Sequence, residues 1–352
     1  MKTFTSDEVS RHSGDDSLWV TRDDRVYDVT DFAGRHPGGR AALLQGGGGE
    51  VTSLMRTGHQ HSDAAYQILD KYQIGWLSDE PNGNVSVRQR KRENGKKDDN
   101  KLKGWREDEL IDWSKPLYWQ VGHLGDNYME WVHSPVDRQI KLFRSEFAEF
   151  FSTAPWWVVP IVWLPVMCMY ITLSFLNYSN GAGEVWMPNF YGGLWTCTYH
   201  MPFLFGFGAV MWSLFEYVVH RWLFHMRPPS WSPFLTTLHF VLHGQHHKAP
   251  MDRQRLVFPP LPASVFGVTI SLLYLSVFPV AMAQILLAGT AFGYVIYDLI
   301  HYYLHHGSPS LRYFQDLKNY HVRHHFVNQQ KGFGISHKFW DYTFGTVIPM
   351  KS

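Results

Sequence analysis

The stretch HFVLHGQHHKAP, residues 239–250, places His239, His243, His246 and His247 within a single run of chain. An α-helix advances about 100° per residue, so these four side chains fall within an arc of about 100° and converge on one point. Three similar groups lie nearby: His220 and His225, then His301, His305 and His306, then His321, His324 and His325. His321, His324 and His325 share one arc. His301 and His305 also share a face, whereas His306 is turned about 100° further round and points elsewhere. His220 and His225 are about 140° apart on an ideal helix and need a helix end or two separate ions to act together.

Neutral imidazole is the commonest metal ligand near neutral pH. A lone histidine is more often a hydrogen-bonded core or surface residue, but four clusters in one region point to metal. A structural zinc site closes with four ligands and usually recruits cysteine. The only cysteines here, Cys168 and Cys197, lie in apolar segments far from the clusters. Ten or so imidazoles suit two ions of higher coordination, iron for oxygen chemistry, with zinc able to occupy the same donors in a preparation.

Mean hydropathy is −0.23 over the chain, yet that average hides long uncharged runs. Residues 154–176 and 195–215 are each long enough to cross a bilayer. Residues 256–297, interrupted near Pro279, are long enough to enter and return as a hairpin, which makes four transmembrane helices. Lys141 and Arg144 precede the first span. Arg221, Arg227 and Lys248 follow the second, and Arg312, Lys318 and Arg323 follow the fourth. The positive-inside rule puts these regions, and with them every histidine cluster, on the cytosolic side. No N-terminal apolar region precedes the spans, so a cleaved signal peptide is not expected. Two free cysteines fit a reducing compartment. The sequon at Asn177-Tyr178-Ser179 is expected in a lumenal turn. A net charge of +1 gives no basis for nucleic-acid binding.

Residues 1–77 carry a different chemistry. Trp19-Val20 and Arg25-Val26-Tyr27-Asp28-Val29 read as strands, and His36-Pro37-Gly38-Gly39 follows. Taken alone that motif is equally an ordinary turn. With the strands before it and His61-Ser62 after it, the module resembles cytochrome b5. The resemblance implies an α+β fold binding haem b through His36 and His61, with His59 as the competitor for the second position. Two axial imidazoles leave no open site, so such a module transfers electrons. The run Gly46-Gly47-Gly48-Gly49 departs from the family pattern and leaves that loop's geometry open. Residues 78–104 are charged, lack periodic apolar residues and read as a flexible linker. The membrane domain then occupies residues 105–352.

An electron-transfer haem joined to a membrane histidine cluster points to reductive activation of dioxygen, since metal-assisted hydrolysis needs no electrons. The whole chain resembles the fatty acid 2-hydroxylases, in which a cytochrome b5-like domain precedes an all-α integral membrane domain with a cytosolic dimetal cap. The resemblance implies metal ligands at His220, His225, His243, His246, His247, His301, His305, His321, His324 and His325. It leaves His239 and His306 outside, with His239 in a supporting role beside a ligand or metal-bound water. It further implies abstraction of hydrogen from carbon 2 of a long-chain fatty acid and return of hydroxyl, supplying 2-hydroxy acyl chains for sphingolipids in the endoplasmic reticulum membrane. Glu216 and Asp298 are candidates to orient ligands, and Lys248, Arg253 and Arg255 to anchor the substrate carboxyl. No Gly-rich nucleotide motif is present, so electrons from NAD(P)H are expected through a separate reductase. A sterol or acyl-lipid desaturase or hydroxylase and a non-catalytic metal- or haem-binding membrane protein are the alternatives. A metal transporter fits less well, because the histidines lie outside the spans rather than at mid-bilayer.

Overall fold

A computed structural model describes residues 2–34, 36, 38–57, 63–78, 107–181, 183–187 and 193–349. Its contacts divide the chain into two units. One comprises Met1–Lys141, Pro228–Met251 and His305–Gln329, the other Leu142–Arg227, Asp252–Leu304 and Gln330–Ser352.

The first unit begins with a five-stranded sheet: β1 (Lys2–Phe4), β2 (Ser13–Gly14), β3 (Ser17–Arg22), β4 (Arg25–Asp28) and β5 (Gln73–Leu77), in the order β1-β5-β4-β3-β2. Only the β1–β5 pair is parallel. Alternation along β3 buries Leu18 and Val20 on the face that meets Val29, Phe32 and Ile68, as a half-buried strand should. The four-glycine run is ordered against this sheet. Gly48 adopts φ +72 and a Cβ there would stand 2.9 Å from the Ser10 carbonyl oxygen, a backbone position glycine alone fills without strain. Gly48 N–H donates to Trp19 O and Thr21 N–H to Gly49 O, both at 2.8 Å.

Three later segments complete this unit. Residues 107–141 form short helices. Helix Pro233–His239, capped by Ser232 with proline in its first turn, continues through a π turn, Phe240–Gly244, into Gln245–Lys248. Helix Arg312–Phe326 presents Leu317, Tyr320, His321, His324 and His325 inward.

The second unit holds most of four helices long and apolar enough to cross a membrane: Val158–Gly181, Thr198–Phe224, Pro260–Val277 and Val280–His306. The chain is a membrane protein. Buried residues make up 61% of the apolar window of the fourth span and 11–17% of the others, so the fourth is the inner helix and the rest present apolar side chains outward. Ser174 Oγ donates to the Ala281 carbonyl at 2.7 Å, tying the first span to the fourth. The hairpin break falls at Phe278-Pro279, between the third and fourth helices.

Two spans run beyond the charge-free windows because their acids are satisfied. The second passes Glu216, whose carboxylate accepts from the Ile335 and Ser336 amides and the Ser336 hydroxyl. The fourth passes Asp298, which accepts from the Phe258 amide and the Tyr294 hydroxyl. A buried carboxylate with such partners avoids most of the cost of lost hydration. The sequon lies inside the first span, with Asn177 Nδ2 donating to Gln284 Oε1 at 2.9 Å, rather than in a turn.

The second and fourth spans meet backbone to backbone. A Cβ on Gly289 would stand 1.9 Å from the Phe205 carbonyl oxygen, and one on Gly208 2.2 Å from that of Leu286, the close approach that small residues permit between membrane helices. Gly289→Ala is therefore expected to cost about 1–3 kcal/mol through overpacking, read as a lower melting temperature in detergent. Gly206→Ala, where nothing lies within 4 Å, is the control and should leave it unchanged.

Candidate metal centre

Within the first unit, helix Gln245–Lys248 and the π turn before it carry His243, His246 and His247, and helix Arg312–Phe326 carries His321, His324 and His325. His243 Nε2 and His247 Nε2 are 3.1 Å apart. His321 Nε2 stands 2.9 Å from His305 Nε2 and 3.1 Å from His325 Nε2. The His246 ring centroid lies 4.5 Å from that of His325, and that of His324 lies 5.1 Å from His247.

In the second unit, His220 and His225 approach to 3.2 Å between their Nε2 atoms. Five residues separate them, and the π turn Val219–Phe224 resolves the angular difficulty. A π turn winds about 82° per residue, which leaves positions i and i+5 only about 50° apart. The His225 amide closes it on the His220 carbonyl at 3.0 Å.

The candidate ligand atoms of His220, His225, His243, His247 and His324 all lie within 4.8 Å of one another, and those of His246, His301, His305, His321 and His325 form a second such set. Nine of these rings are buried and His305 is half-buried. His239 and His306 belong to neither set. His239 Nδ1 is engaged by the Tyr128 hydroxyl at 2.5 Å.

Hydrogen bonding between the imidazoles does not account for this arrangement. An imidazole nitrogen carries either a proton or one lone pair in the ring plane, so His321 Nε2 cannot pair fully with both His305 and His325. A shared cation serves all three. Two nitrogens on one ion at about 2.1 Å are about 3.0 Å apart when they subtend 90° and about 3.4 Å apart in a tetrahedron. The observed 2.9–3.2 Å fits neighbouring ligands of an ion with more than four-fold coordination. Burial, and then the neighbouring His247, His246, His321 and His305, push the His325 imidazole well below its ordinary value. It is thereby kept in the neutral form that binds metal.

The second unit fixes the His220 tautomer. Its Nδ1 donates to the Phe333 carbonyl at 2.6 Å, which leaves Nε2 with the lone pair facing His225. The loop bearing that carbonyl is held by two buried acids. Asp341 accepts from the Phe333 and Gly334 amides, each at 2.9 Å, and Glu216 takes the next two amides. Glu216 thus acts on His220 through the loop, and Asp298 braces the start of the third span; neither touches an imidazole. Sequence reading missed Asp341, Phe333, Tyr128 and His133. His133 lies with its ring 5.5 Å from His247 and its Nδ1 on the Met129 carbonyl. None repeats at helical spacing, so no pattern in the sequence marks them.

Two cations proposed to meet substrate are otherwise committed. Lys248 is fully buried, donates to the Trp131 and Ser134 carbonyls and pairs with Glu107. Arg255 pairs with Glu149 and donates to the Ser152 carbonyl. Arg253 is exposed.

In the N-terminal module His36 is buried and its Nδ1 donates to the Gly39 carbonyl at 3.1 Å. This is the orientation that directs Nε2 to a metal, and it fits an axial haem ligand. His61 and its competitor His59 lie outside the described residues.

Residues 5–78 match the family described as cytochrome b5-like heme/steroid binding domain, and residues 205–346 match fatty acid hydroxylase. The chain is 44% identical to fatty acid 2-hydroxylase of Rattus norvegicus over 99% of its own length and 95% of the relative's. It belongs to the fatty acid 2-hydroxylase family. A shorter relative, dihydroceramide fatty acyl 2-hydroxylase FAH2 of Arabidopsis thaliana, is 42% identical over 69% of this chain and 95% of its own. The solved structure of full-length scs7p, in which only the hydroxylase domain is visible, matches with a TM-score of 0.59 at 33% identity, covering 73% of this chain and 90% of that one. The chain is accordingly a hydroxylating oxidoreductase of the 2-hydroxylase family with a cytochrome b5-type haem domain.

Two outcomes test the centre. Asp341→Ala frees two buried amides and the loop that steers His220; metal affinity should fall roughly 10–100-fold at one of two sites, read by chelator competition, with the haem spectrum unchanged. Because His325 resists protonation, bound metal should survive desalting at about pH 6, below the ordinary imidazole value of about 6.5, and be lost only on further acidification. Loss of half the metal above that value would contradict the assignment.

Proposed function

We propose that the two five-histidine sets each hold one iron ion and that the chain hydroxylates carbon 2 of a long-chain acyl group. His220, His225, His243, His247 and His324 would bind one ion, and His246, His301, His305, His321 and His325 the other. His36 and His61 would hold haem b. The observation that carries this reading is the crowding of buried imidazole nitrogens at 2.9–3.2 Å, joined in one chain to a haem module. When bound, the iron pair supplies reductive activation of dioxygen with electrons from NAD(P)H, relayed by a separate reductase and the haem.

The protein's part is orientation and exclusion of water. Phe333 holds the proton of His220 on Nδ1, and burial keeps His325 neutral. His220 and His225 stand at the end of the second span, and His301 and His305 at the end of the fourth. A lipid whose chain lies along these apolar helices presents the carbons next to its polar head at that level, which selects carbon 2 over the rest of the chain. Charge flanking the spans supports placing this end, and the haem module, on the cytosolic side of the endoplasmic reticulum membrane. The dihydroceramide named for the Arabidopsis relative makes a sphingolipid-linked acyl chain a substrate to test beside the free acid.

Cells expressing the chain and fed long-chain fatty acid fully deuterated at carbon 2 should yield a 2-hydroxy acid that has lost one deuterium, read by mass spectrometry. His246→Ala should abolish that product. An unsaturated product would move the assignment to desaturation, and an unaltered acid would remove catalysis on this substrate.

A further inference from the structure

The core of the haem module does not close on itself. The apolar cluster of Leu18, Val20, Tyr27, Val29, Phe32 and Ile68 also takes in Met251, 8% exposed, and Phe326 packs against it. Met251 follows the 239–250 histidine motif directly, and Phe326 follows His325. Tyr72 of the same cluster donates its hydroxyl to Asp137 at 2.5 Å, a residue four positions beyond His133. Both ends of this contact lead to residues that would hold redox groups. The Tyr72 ring is 5.2 Å from Phe32, and Phe32 is 5.9 Å from His36. On the other side the Phe326 ring is 6.3 Å from His325. Gly39, whose carbonyl orients His36, has its open Cβ direction 3.9 Å from Ser308 Oγ.

We propose that this contact is the electron-delivery interface: the haem module works docked on Met251 and Phe326, latched by the Tyr72–Asp137 hydrogen bond, and reduces the histidine cluster of its own molecule. The proposal rests on the hydroxylase reading above. Tunnelling rates fall exponentially with distance, so a module seated one aromatic layer from His325 has a path that a freely tumbling one has only in passing. Tethering raises the effective concentration of the partner surfaces to the millimolar range or so, enough for a modest apolar contact to stay formed. A haem held by His36 and His61 would supply the two electrons of each turnover one at a time, with a nicotinamide-dependent reductase replacing each. The two electrons, two protons and one dioxygen convert a C–H bond to C–OH and release one water.

The test uses the full chain loaded with haem and iron, its haem reduced without oxygen and then mixed with oxygen and fatty acid in a stopped-flow spectrometer. Haem reoxidation should be first order, with a rate constant independent of protein concentration. Met251→Glu places a charge in the contact and should slow it about tenfold or more while leaving the haem spectrum and metal content intact; Tyr72→Phe, which removes only the latch, should slow it by a smaller factor. An observed rate constant that rises in proportion to protein concentration, or a wild-type rate constant in Met251→Glu, overturns the proposal. Hydrogen exchange reads the docking apart from the chemistry: amides across residues 251–255 and 323–328 should exchange faster in Met251→Glu, and unchanged exchange overturns the docked state. Absence of 2-hydroxy product from the wild-type protein, with exchange behaving as expected, would instead count against the hydroxylase reading alone.

Discussion

Ten imidazoles confined to two small volumes, nine of them buried, set a constraint that the rest of the fold serves. Each ring brings a polar nitrogen out of water, and an unpaired polar group in such surroundings costs on the order of 1–3 kcal/mol. Protonation would provide donors but would gather like charges, and burial already opposes it at His325. A divalent ion bound in each set would answer both difficulties, because it would accept the lone pairs of neutral rings. The packing around the sets therefore has one task, which is to hold nitrogens at the spacing an ion requires.

The supporting contacts follow from that task. Phe333 can fix the His220 tautomer only if its own loop is fixed, and that loop takes its rigidity from two buried carboxylates rather than from regular structure. Lys248 does similar work beside His247. Its ammonium is spent on the Trp131 and Ser134 carbonyls and on Glu107, and its own carbonyl accepts from the Val136 amide at 2.7 Å. The segment before the first span is thus fastened to the histidine helix at side chain and backbone together. A charge so fully enclosed is costly to bury and more costly to strip of its partners, which makes it a poor hand for a substrate and a strong clamp for a helix.

Most of this was legible in the sequence because periodicity survives folding. Spacings of three and four group His243, His246 and His247, and His321, His324 and His325, as the arithmetic expects, but each trio does not converge on one point: His246 parts from His243 and His247, and His324 from His321 and His325. The arithmetic failed where the helix ceased to be an α-helix. His220 and His225 looked mismatched until a π turn took up the difference, whereas His239 looked matched and is instead engaged by the Tyr128 hydroxyl. Span ends were misplaced for a related reason. A charge-free window stops at Glu216, whereas the helix stops where its last carbonyls find partners, and the partners of Glu216 come from residues more than a hundred positions away. Long-range satisfaction of single polar groups has no period, so Asp341, Tyr128 and His133 left no trace that a pattern search detects.

The two π turns share a physical cause. Each inserts one residue into a helix and costs hydrogen-bond geometry, so each persists only where the surroundings over-determine it. Both lie where a helix passes from apolar surroundings into a histidine set, at Val219–Phe224 and at Phe240–Gly244. An unbroken α-helix entering the first set would leave His220 and His225 about 140° apart, with one ring turned away from the other. Widening the turn brings both nitrogens to one point without a kink or a loop, and so keeps the helix continuous across the level where the span ends. The wider turn is the means by which a straight membrane helix, built on a 3.6-residue period, brings together two imidazoles five residues apart.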